Sequence, residues 1–550
     1  MKKKLVYLFL ATSMLGLVAY NTPEDHYFEV MKNLEIFGSL FKEVNTYYVD
    51  EISPNELMNE GINSMLNSLD PYTNYIPEDQ IEDYRIMTTG QYAGIGIETV
   101  TREDGKTLIT MPMKGFVGEK SGLLIGDQIL KIDGVDVTNK EGAEISQLLK
   151  GQAGTPIELV VQRVKTDKPL TFKMVREKIS ISNVPYFGMV TPEVGLIQLS
   201  DFTYNAGKEV KDAFLKLKEQ GAKGMILDLR GNPGGLLSEA VNISNLFVTK
   251  GNEIVSTKGK VKEWNKKYNA LNNAIDTEMP MAVLINSSSA SAAEIVSGVL
   301  QDYDRGVLIG QNSFGKGLVQ VTRSLSYNSK LKVTVAKYYI PSGRCIQAVD
   351  YTNRNPDGSV GKVPDSLRVA FKTKAGRVVY DGGGVKPDIT NEKPHLPQIL
   401  AILFKKGMMF DYATEFRAKN PTIASAKEFK LTDAQYQDFV KWLSNKDLDY
   451  KTRVERGIEG LEKAAKEEKY YDDIKAQLNN LKEKLAHNKD NDLQKFKPEI
   501  KEELEREIAS RYYFAEGKME SSFDDDPDVI AAVSLFKDAT RYKSLLTTTK

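Results

Sequence analysis

Residues 280–320 decide the fold of this chain, and they read PMAVLINSSSASAAEIVSGVLQDYDRGVLIGQNSFGKGLVQ. The stretch opens with an apolar run of strand length, Met281–Ile285, and turns through serines into a small-residue segment at residues 290–300. A strand, a turn and a helix in this order place a serine hydroxyl at a helix N-terminus. There, free backbone N–H groups and the helix dipole favour a developing negative charge. The stretch therefore predicts an α/β layer with a candidate nucleophile at the turn.

A lysine and a glutamine in the same stretch are candidates to act with that serine. Lys316 follows Ser291 by 25 residues and stands between two glycines. Gln320 comes four residues later, and on a strand this even spacing would place it on the same face as Lys316. Ser288 and Ser289 remain the alternative nucleophiles.

Composition excludes several classes of function. The chain has 550 residues, which predicts several domains, and a formal net charge of -1, which gives no electrostatic case for nucleic acid. One cysteine excludes an intrachain disulfide framework. The histidines are His26, His395 and His487, all distant in sequence from Ser291. We therefore predict no metal site and no cofactor.

The N-terminus predicts export. Three lysines at positions 2–4 precede an uncharged run that reaches residue 19, the pattern of a signal peptide. Residues 1–20 are thus expected to be a signal peptide or a retained N-terminal anchor. The expected location is the periplasm, or the membrane on its periplasmic side.

Periodicity divides the rest of the chain into four regions. Residues 24–89 show helical spacing of apolar residues, and residues 90–177 form a compact β-rich module. Residues 178–392 alternate apolar strands with amphipathic helices. Residues 393–550 are charged, glycine-poor and helical.

A glycine turn in the α/β region is a second candidate for the site. A buried strand beginning at residue 224 leads into the sequence GNPGG at residues 231–235, and a helix follows at residues 236–248. Backbone N–H groups at such a turn bind phosphate or stabilise an oxyanion, and local spacing leaves both options open.

The β-rich module resembles a PDZ domain, on the sequence GLLIGDQILKIDG at residues 122–134 and the order of its elements. The resemblance implies that an extended peptide adds to a sheet edge and that backbone N–H groups hold its terminal carboxylate. The loop that holds the carboxylate would be Tyr92, Ala93, Gly94 and Ile95.

Six segments stand in order along the chain: LDP at 69–71, the PDZ module, DLRGNPGG at 228–235, SASAAEI at 289–295, FGKGLVQ at 314–320 and PSGR at 341–344. In these segments and their order, the larger part of the chain resembles the carboxyl-terminal processing peptidases, which are serine–lysine endopeptidases with an inserted PDZ domain. The resemblance implies a mixed α/β multidomain fold, with a ClpP/crotonase-like α/β protease core, an inserted PDZ domain and a helical C-terminal domain.

By this resemblance, Ser291 is the nucleophile, Lys316 the general base and Gln320 the residue that orients the lysine. The amides of Ala292 and Gly234 would form the oxyanion hole, with the neighbouring glycine at 235 as the alternative to Gly234. Lysine accepts a proton only when it is neutral, so burial in a dry pocket must lower the pKa of Lys316 by roughly 3 units, which corresponds to about 4 kcal/mol.

The predicted function is an exported serine endopeptidase that recognises C-terminal tails of proteins through its PDZ domain and cleaves through an acyl-enzyme. The alternative is a catalytically silent PDZ-based scaffold that binds peptides. Expected partners are protein substrates with exposed tails. An adaptor or self-association at the helical domain stays open, as does membrane association through the N-terminal segment.

Overall fold

The computed structural model describes residues 23–392, 396–448, 450–489 and 491–548. The predicted signal segment at residues 1–20 and the histidine at position 395 lie outside the described residues. No helix in the described ranges combines the length and the apolar character needed to cross a membrane. The chain divides into two compact units, Met1–Tyr75 and Ile76–Lys550.

The described part of the first unit is helical, as the periodicity predicts. Helix α1 spans Pro23–Tyr47 and α2 spans Pro54–Asn67. Ser53 caps α2 with its side chain, and a proline takes the first helical position. The apolar row predicted on α1 is exposed in this chain. Strand β1 (Asn74–Ile76) then leads into the second unit.

The second unit begins with a helix and an antiparallel β-module. Its elements are α3 (Ile81–Thr89), β2 (Gln91–Gly94), β3 (Ile97–Thr101), β4 (Thr107–Pro112), α4 (Val117–Lys120), β5 (Gln128–Ile132), β6 (Val135–Asp136), α5 (Gly142–Leu149), β7 (Pro156–Gln162), β8 (Leu170–Val175) and β9 (Glu177–Ser180). The sheet order is β3-β4-β5-β7-β8, with β6 on β5. Helix α5 packs Ile145 and Leu149 into its core. Strands β2 and β9 pair with each other, which brings the two ends of the module together.

A mixed α/β sheet follows. Its elements are β10 (Tyr186–Thr191), β11 (Val194–Gln198), α6 (Ala206–Glu219), β12 (Gly224–Asp228), α7 (Leu237–Phe247), β15 (Met281–Ile285), α8 (Ala292–Asp302), β16 (Val307–Gly310) and β23 (Ile389–Thr390). The strand order is β10-β11-β12-β15-β16-β23, and all pairs except β10–β11 are parallel. The carboxyl ends of β12 and β15 therefore lie side by side, which brings the glycine turn (residues 231–235) next to the serine turn (residues 286–291).

A second, antiparallel sheet supports the lysine and glutamine. It joins β13 (Glu253–Gly259), β14 (Lys266–Asn269), β17 (Leu318–Ser324) and β18 (Lys330–Tyr339), with β18 between β17 and β13. Two small ribbons complete the region, β19 (Val349–Arg354) with β20 (Val360–Lys362) and β21 (Ala370–Lys372) with β22 (Val378–Tyr380).

The remainder of the described chain is helical. Its helices are α9 (Gln398–Lys405), α10 (Met408–Lys419), α11 (Asp433–Leu443), α12 (Arg453–Glu467), α13 (Tyr471–Lys489), α14 (Asp492–Lys495), α15 (Lys497–Glu520), α16 (Pro527–Lys537) and α17 (Ala539–Leu545). Helices α9, α10, α11 and α15 share an aromatic-rich core of their own.

Helix α16 packs on the mixed sheet instead, because both faces of that sheet are apolar. Residues on β12 alternate between the faces: Leu227 lies in the core formed with α6, α7 and α8, whereas Ile226 contacts the core that includes Val529 and Ala532 of α16. A strand that is buried on both faces has apolar residues at successive positions, and this explains why every residue of β15 is apolar.

Candidate active site

Ser291 lies at a strained turn between β15 and α8. Its backbone has φ 53° and ψ −113°, an unusual conformation for a residue other than glycine. Residues held in such conformations cluster at active sites, where the surrounding structure enforces them. The backbone N–H of Ser291 donates to Glu294 Oε2 at 2.8 Å, one turn into α8.

Glu294 is the buried acid that joins this turn to the loop that carries Lys316, residues 313–317, which is called the lysine loop below. Its side chain has no solvent exposure. Oε2 also accepts from Lys316 N at 2.8 Å, while Oε1 accepts from Gly315 N at 2.7 Å and from the Ser313 hydroxyl. Burial raises the pKa of Glu294 to about 7, although these hydrogen bonds lower it. One carboxyl group therefore fixes the backbone of both Ser291 and Lys316.

Tyr338 of β18 makes a second link between the same two residues. Its buried hydroxyl lies 2.7 Å from the carbonyl oxygen of Lys316 and 3.1 Å from that of Ser291. Sequence reasoning assigned no role to Glu294 or Tyr338. The signal for Glu294 was present, because a serine followed three residues later by a glutamate is a capping-box pattern, and here the acid stands in an otherwise apolar helix.

The glycines beside Lys316 are required by close packing. A Cβ on Gly315, whose φ is +88°, would lie 2.3 Å from Ala348 Cβ, and one on Gly317 would lie 2.9 Å from Gln347 N. Gly317 N also donates to Gln347 Oε1 at 2.7 Å. The lysine loop is thus fixed from both sides.

Gln320 lies on β17 opposite Thr334 of β18, and its Nε2 donates to Thr334 Oγ1 at 3.1 Å. The described structure brings the predicted residues into one cavity of about 370 Å³. Its lining includes Ser291, Lys316 and Gln320 together with Gly234, Gly235 and Ala292.

The glycine turn after β12 packs directly against the serine turn. A Cβ on Gly234 would lie 2.7 Å from Ser291 Cβ and 2.9 Å from Ala292 N. The buried Asn232 holds this turn: its Nδ2 donates to Leu199 O at 2.7 Å, and its Oδ1 accepts from Gly234 N at 2.8 Å. The N–H of Gly234 therefore already has an acceptor in this structure.

The two alternative serines occupy other positions. Ser289 is fully buried, and its hydroxyl donates to Leu229 O at 2.8 Å and accepts from Asn286 N at 2.9 Å. Ser288 is exposed. Of the three serines, Ser291 lines the cavity.

A second groove, of about 500 Å³, lies in the β-module between β3 and α5. Tyr92 and Ile95 of the predicted carboxylate loop line it, together with Ser146 of α5. Ala93 and Gly94 pair with β9 through β2, and Gly151 N donates to Ala93 O at 3.2 Å. Burial raises the pKa of Tyr92 to about 12.

The described residues contain no group of three or more histidine, cysteine, aspartate and glutamate side chains arranged to hold a metal ion.

Comparison with known families gives three matches along the chain. Residues 193–358 match "Peptidase family S41", residues 108–163 match "PDZ domain", and residues 399–536 match "Probable PDZ-protease, C-terminal helical domain". These matches confirm the predicted fold class, a protease core combined with a PDZ domain and a helical C-terminal domain.

Relatives that are similar in sequence agree with these matches. The chain is 39% identical over 349 residues to a carboxy-terminal-processing protease of Bartonella bacilliformis, covering 63% of this chain and 79% of the relative. It is 34% identical over 390 residues to a "Probable CtpA-like serine protease" of Staphylococcus aureus, covering 70% and 77%. A solved photosystem II D1 C-terminal processing protease is 27% identical, with 66% of this chain and 93% of that chain covered and a TM-score of 0.35.

Proposed function

Because the chain belongs to the carboxy-terminal-processing serine proteases of peptidase family S41, we propose that it is an endopeptidase in which Ser291 is the nucleophile and Lys316 the general base. The observation that carries this proposal is the shared cavity, which Ser291, Lys316 and Gln320 all line. The common hydrogen bonds of Glu294 to the backbone of Ser291 and Lys316 support it, because they hold the two residues at a fixed separation.

In the proposed reaction, neutral Lys316 accepts the hydroxyl proton as Ser291 Oγ attacks the scissile carbonyl carbon. The tetrahedral intermediate collapses to an acyl-enzyme, the protonated lysine gives its proton to the leaving amine, and water then hydrolyses the ester in the same way. Gln320 orients the lysine without adding a negative charge that would favour the protonated amine.

Two backbone N–H groups would stabilise the oxyanion. Ala292 N is one, since it is the first amide of α8 after the nucleophile. The glycine turn supplies the other. Gly234 was the predicted donor, but its N–H is hydrogen-bonded to Asn232, and this contact favours the amide of Gly235.

We further propose that the β-module binds the C-terminal tail of a protein substrate in the groove between β3 and α5, with residues 92–95 at its carboxylate end. Ser146→Trp fills this groove, whereas Gln147→Trp places the same ring on the exposed neighbour. We expect Ser146→Trp alone to abolish the preference for a free C-terminus over an amidated one. An unchanged preference would contradict tail binding at this groove.

Export is also proposed, with residues 1–20 as signal peptide or anchor and the periplasm as destination. Support for it comes from the basic and apolar pattern of those residues. Two measurements on the protein expressed at full length test this proposal: its N-terminal sequence and the cell fraction in which it is found. Recovery of the protein in the cytoplasm would contradict export.

Cleavage of an unfolded model protein with a free apolar C-terminus tests the peptidase proposal. The wild type and Ser288→Ala are expected to cleave it, since Ser288 is exposed and does not line the cavity. Ser291→Ala and Lys316→Ala are expected to be inactive. Equal cleavage by all four proteins would contradict the assignment, and absence of cleavage by the wild type would favour the peptide-binding scaffold.

A further inference from the structure

One wall of the catalytic cavity carries a second lysine that the proposed reaction does not use. Strands β17 and β18 pair Gln320 with Thr334 and, two residues further along, Thr322 with Lys332. Residues two apart on a strand share a face, so Lys332 lies on the same face as Thr334. Lys332, Thr322 and Gln320 all line the cavity.

Lys332 differs from the other lysines of its strand in lining the cavity half-buried, with neither an ion pair nor a ring contact for its ammonium group among the described residues. Its side chain makes no ion pair or hydrogen bond with any residue that the structure describes, and burial lowers the pKa of its ammonium group. Lys330, by contrast, lies 5.6 Å from the ring centre of Tyr84, and Lys337 is exposed to solvent. Partial burial of a cation without a partner is unfavourable, and an anion bound beside it would relieve this cost.

The acid in the cavity does not fill this role. Asp201 lines the same cavity and is half-buried, and burial raises the pKa of its carboxyl group. Among the described residues, however, it forms no ion pair with Lys332. An anion paired with Lys332 would therefore have to come from a molecule bound in the cavity.

We propose that Lys332 forms a subsite that binds a carboxylate of the peptide substrate, either an acidic side chain or the free α-carboxylate of a short tail. This inference rests on the proposed peptidase function. Strand residues rise about 3.4 Å each, so Lys332 lies roughly two residues along an extended peptide from the position opposite Gln320. The subsite would thus select an acidic group a short, fixed distance from the scissile bond.

The test compares matched peptides with wild-type, Lys332→Met, Lys332→Arg and Lys337→Met proteins. One peptide series, blocked at both ends, carries Asp or Asn at each position around a cleaved bond. A second series compares the free C-terminal acid with the amide. The measured quantity is the ratio of kcat/KM for the charged peptide to that for its neutral partner. Since the groove between β3 and α5 is also proposed to bind a terminal carboxylate, only the change in this ratio between the wild type and the Lys332 variants is assigned to the subsite.

At one position of the first series, or at the terminus in the second, the wild type is expected to favour the carboxylate by about tenfold, the scale of a charge-assisted hydrogen bond. Lys332→Met should reduce this ratio to near one, Lys332→Arg should retain most of it, and Lys337→Met should leave it unchanged. The series that responds identifies the source of the carboxylate.

A wild-type ratio near one in every pair would overturn the inference, even if Lys332→Met failed to fold. So would a preference that persists in Lys332→Met. If the wild type cleaves none of the peptides, binding to Ser291→Ala, measured by fluorescence anisotropy, replaces kcat/KM in the same comparison. Loss of cleavage with retained carboxylate-dependent binding would count against the peptidase proposal and for the subsite, so the two failures are distinguishable.

Discussion

Substitution of Gly234 by alanine tests whether the glycine turn positions the nucleophile. The added Cβ would lie 2.7 Å from Ser291 Cβ, where ordinary contacts begin at 3.4 Å, so one of the two turns must move by about 0.7 Å. The φ of +96° adds strain of about 1–2 kcal/mol for a residue with a side chain. Overpacking adds about 1–3 kcal/mol.

Gly231→Ala is the matched control in the same turn. Gly231 also has a positive φ, of +73°, but a Cβ there meets no atom within 4 Å. Both variants therefore carry the backbone strain, and only Gly234→Ala displaces Ser291. Since a shift of the order of 1 Å in a reacting group costs about 100-fold in rate, we expect kcat to fall about 100-fold in Gly234→Ala relative to Gly231→Ala.

The assay is hydrolysis of a peptide that the wild type cleaves, with urea unfolding of each protein to confirm that it is folded. If Gly234→Ala retained kcat within threefold of Gly231→Ala while remaining folded, the close packing of the two turns would not control catalysis. The same result would remove the support that this contact gives to an oxyanion donor in the glycine turn.

Three further predictions concern the links between Ser291 and Lys316. Glu294→Gln replaces one acceptor oxygen by an NH₂ group and leaves two donors unpaired. We therefore expect the free energy of unfolding, measured in urea, to fall by about 2–5 kcal/mol and kcat to fall strongly. Wild-type values for both would contradict the role of Glu294. The pKa of Glu294 is about 7 in the folded protein, above the value of 4.5 in the unfolded chain, so the folded state binds more protons between these pH values. The contribution of Glu294 to stability should therefore fall by about 3 kcal/mol as pH rises from 4.5 to 7. Glu294→Gln should lack this dependence on pH. Tyr338→Phe should lower stability by about 1–2 kcal/mol and kcat about tenfold, whereas Tyr339→Phe on the same strand should change neither; equal effects of the two would mean that the Tyr338 hydroxyl has no specific role.

Sequence patterns predicted the elements of the mixed sheet closely, because the local order of apolar and polar residues reflects which side chains of each element are buried. The apolar run Met281–Ile285 is β15, and the buried strand predicted from residue 224 is β12. The glycine turn, the serine turn and the lysine loop were also predicted from local signals, and the fold then places all three around one cavity.

Contacts between segments distant in sequence could not be predicted in this way. The hydroxyl of Tyr338 reaches two carbonyl oxygens that lie 47 and 22 residues away in sequence, and no pattern within β18 indicates it. The helical character predicted for residues 393–550 likewise does not indicate what α16 covers. The packing of α16 on the mixed sheet depends on tertiary complementarity, including the ion pair of Arg230 with Asp526.

Covalent labelling of the nucleophile tests the central claim most directly. The wild-type protein is treated with a fluorophosphonate, which reacts with activated serine hydroxyls, and the modified residue is located by mass spectrometry of the digested protein. The proposed mechanism predicts a single adduct on Ser291 and its loss in Lys316→Ala, with the adduct retained in Ser288→Ala. An adduct on Ser288 or Ser289, or undiminished labelling of Ser291 in Lys316→Ala, would contradict the assignment of this pair.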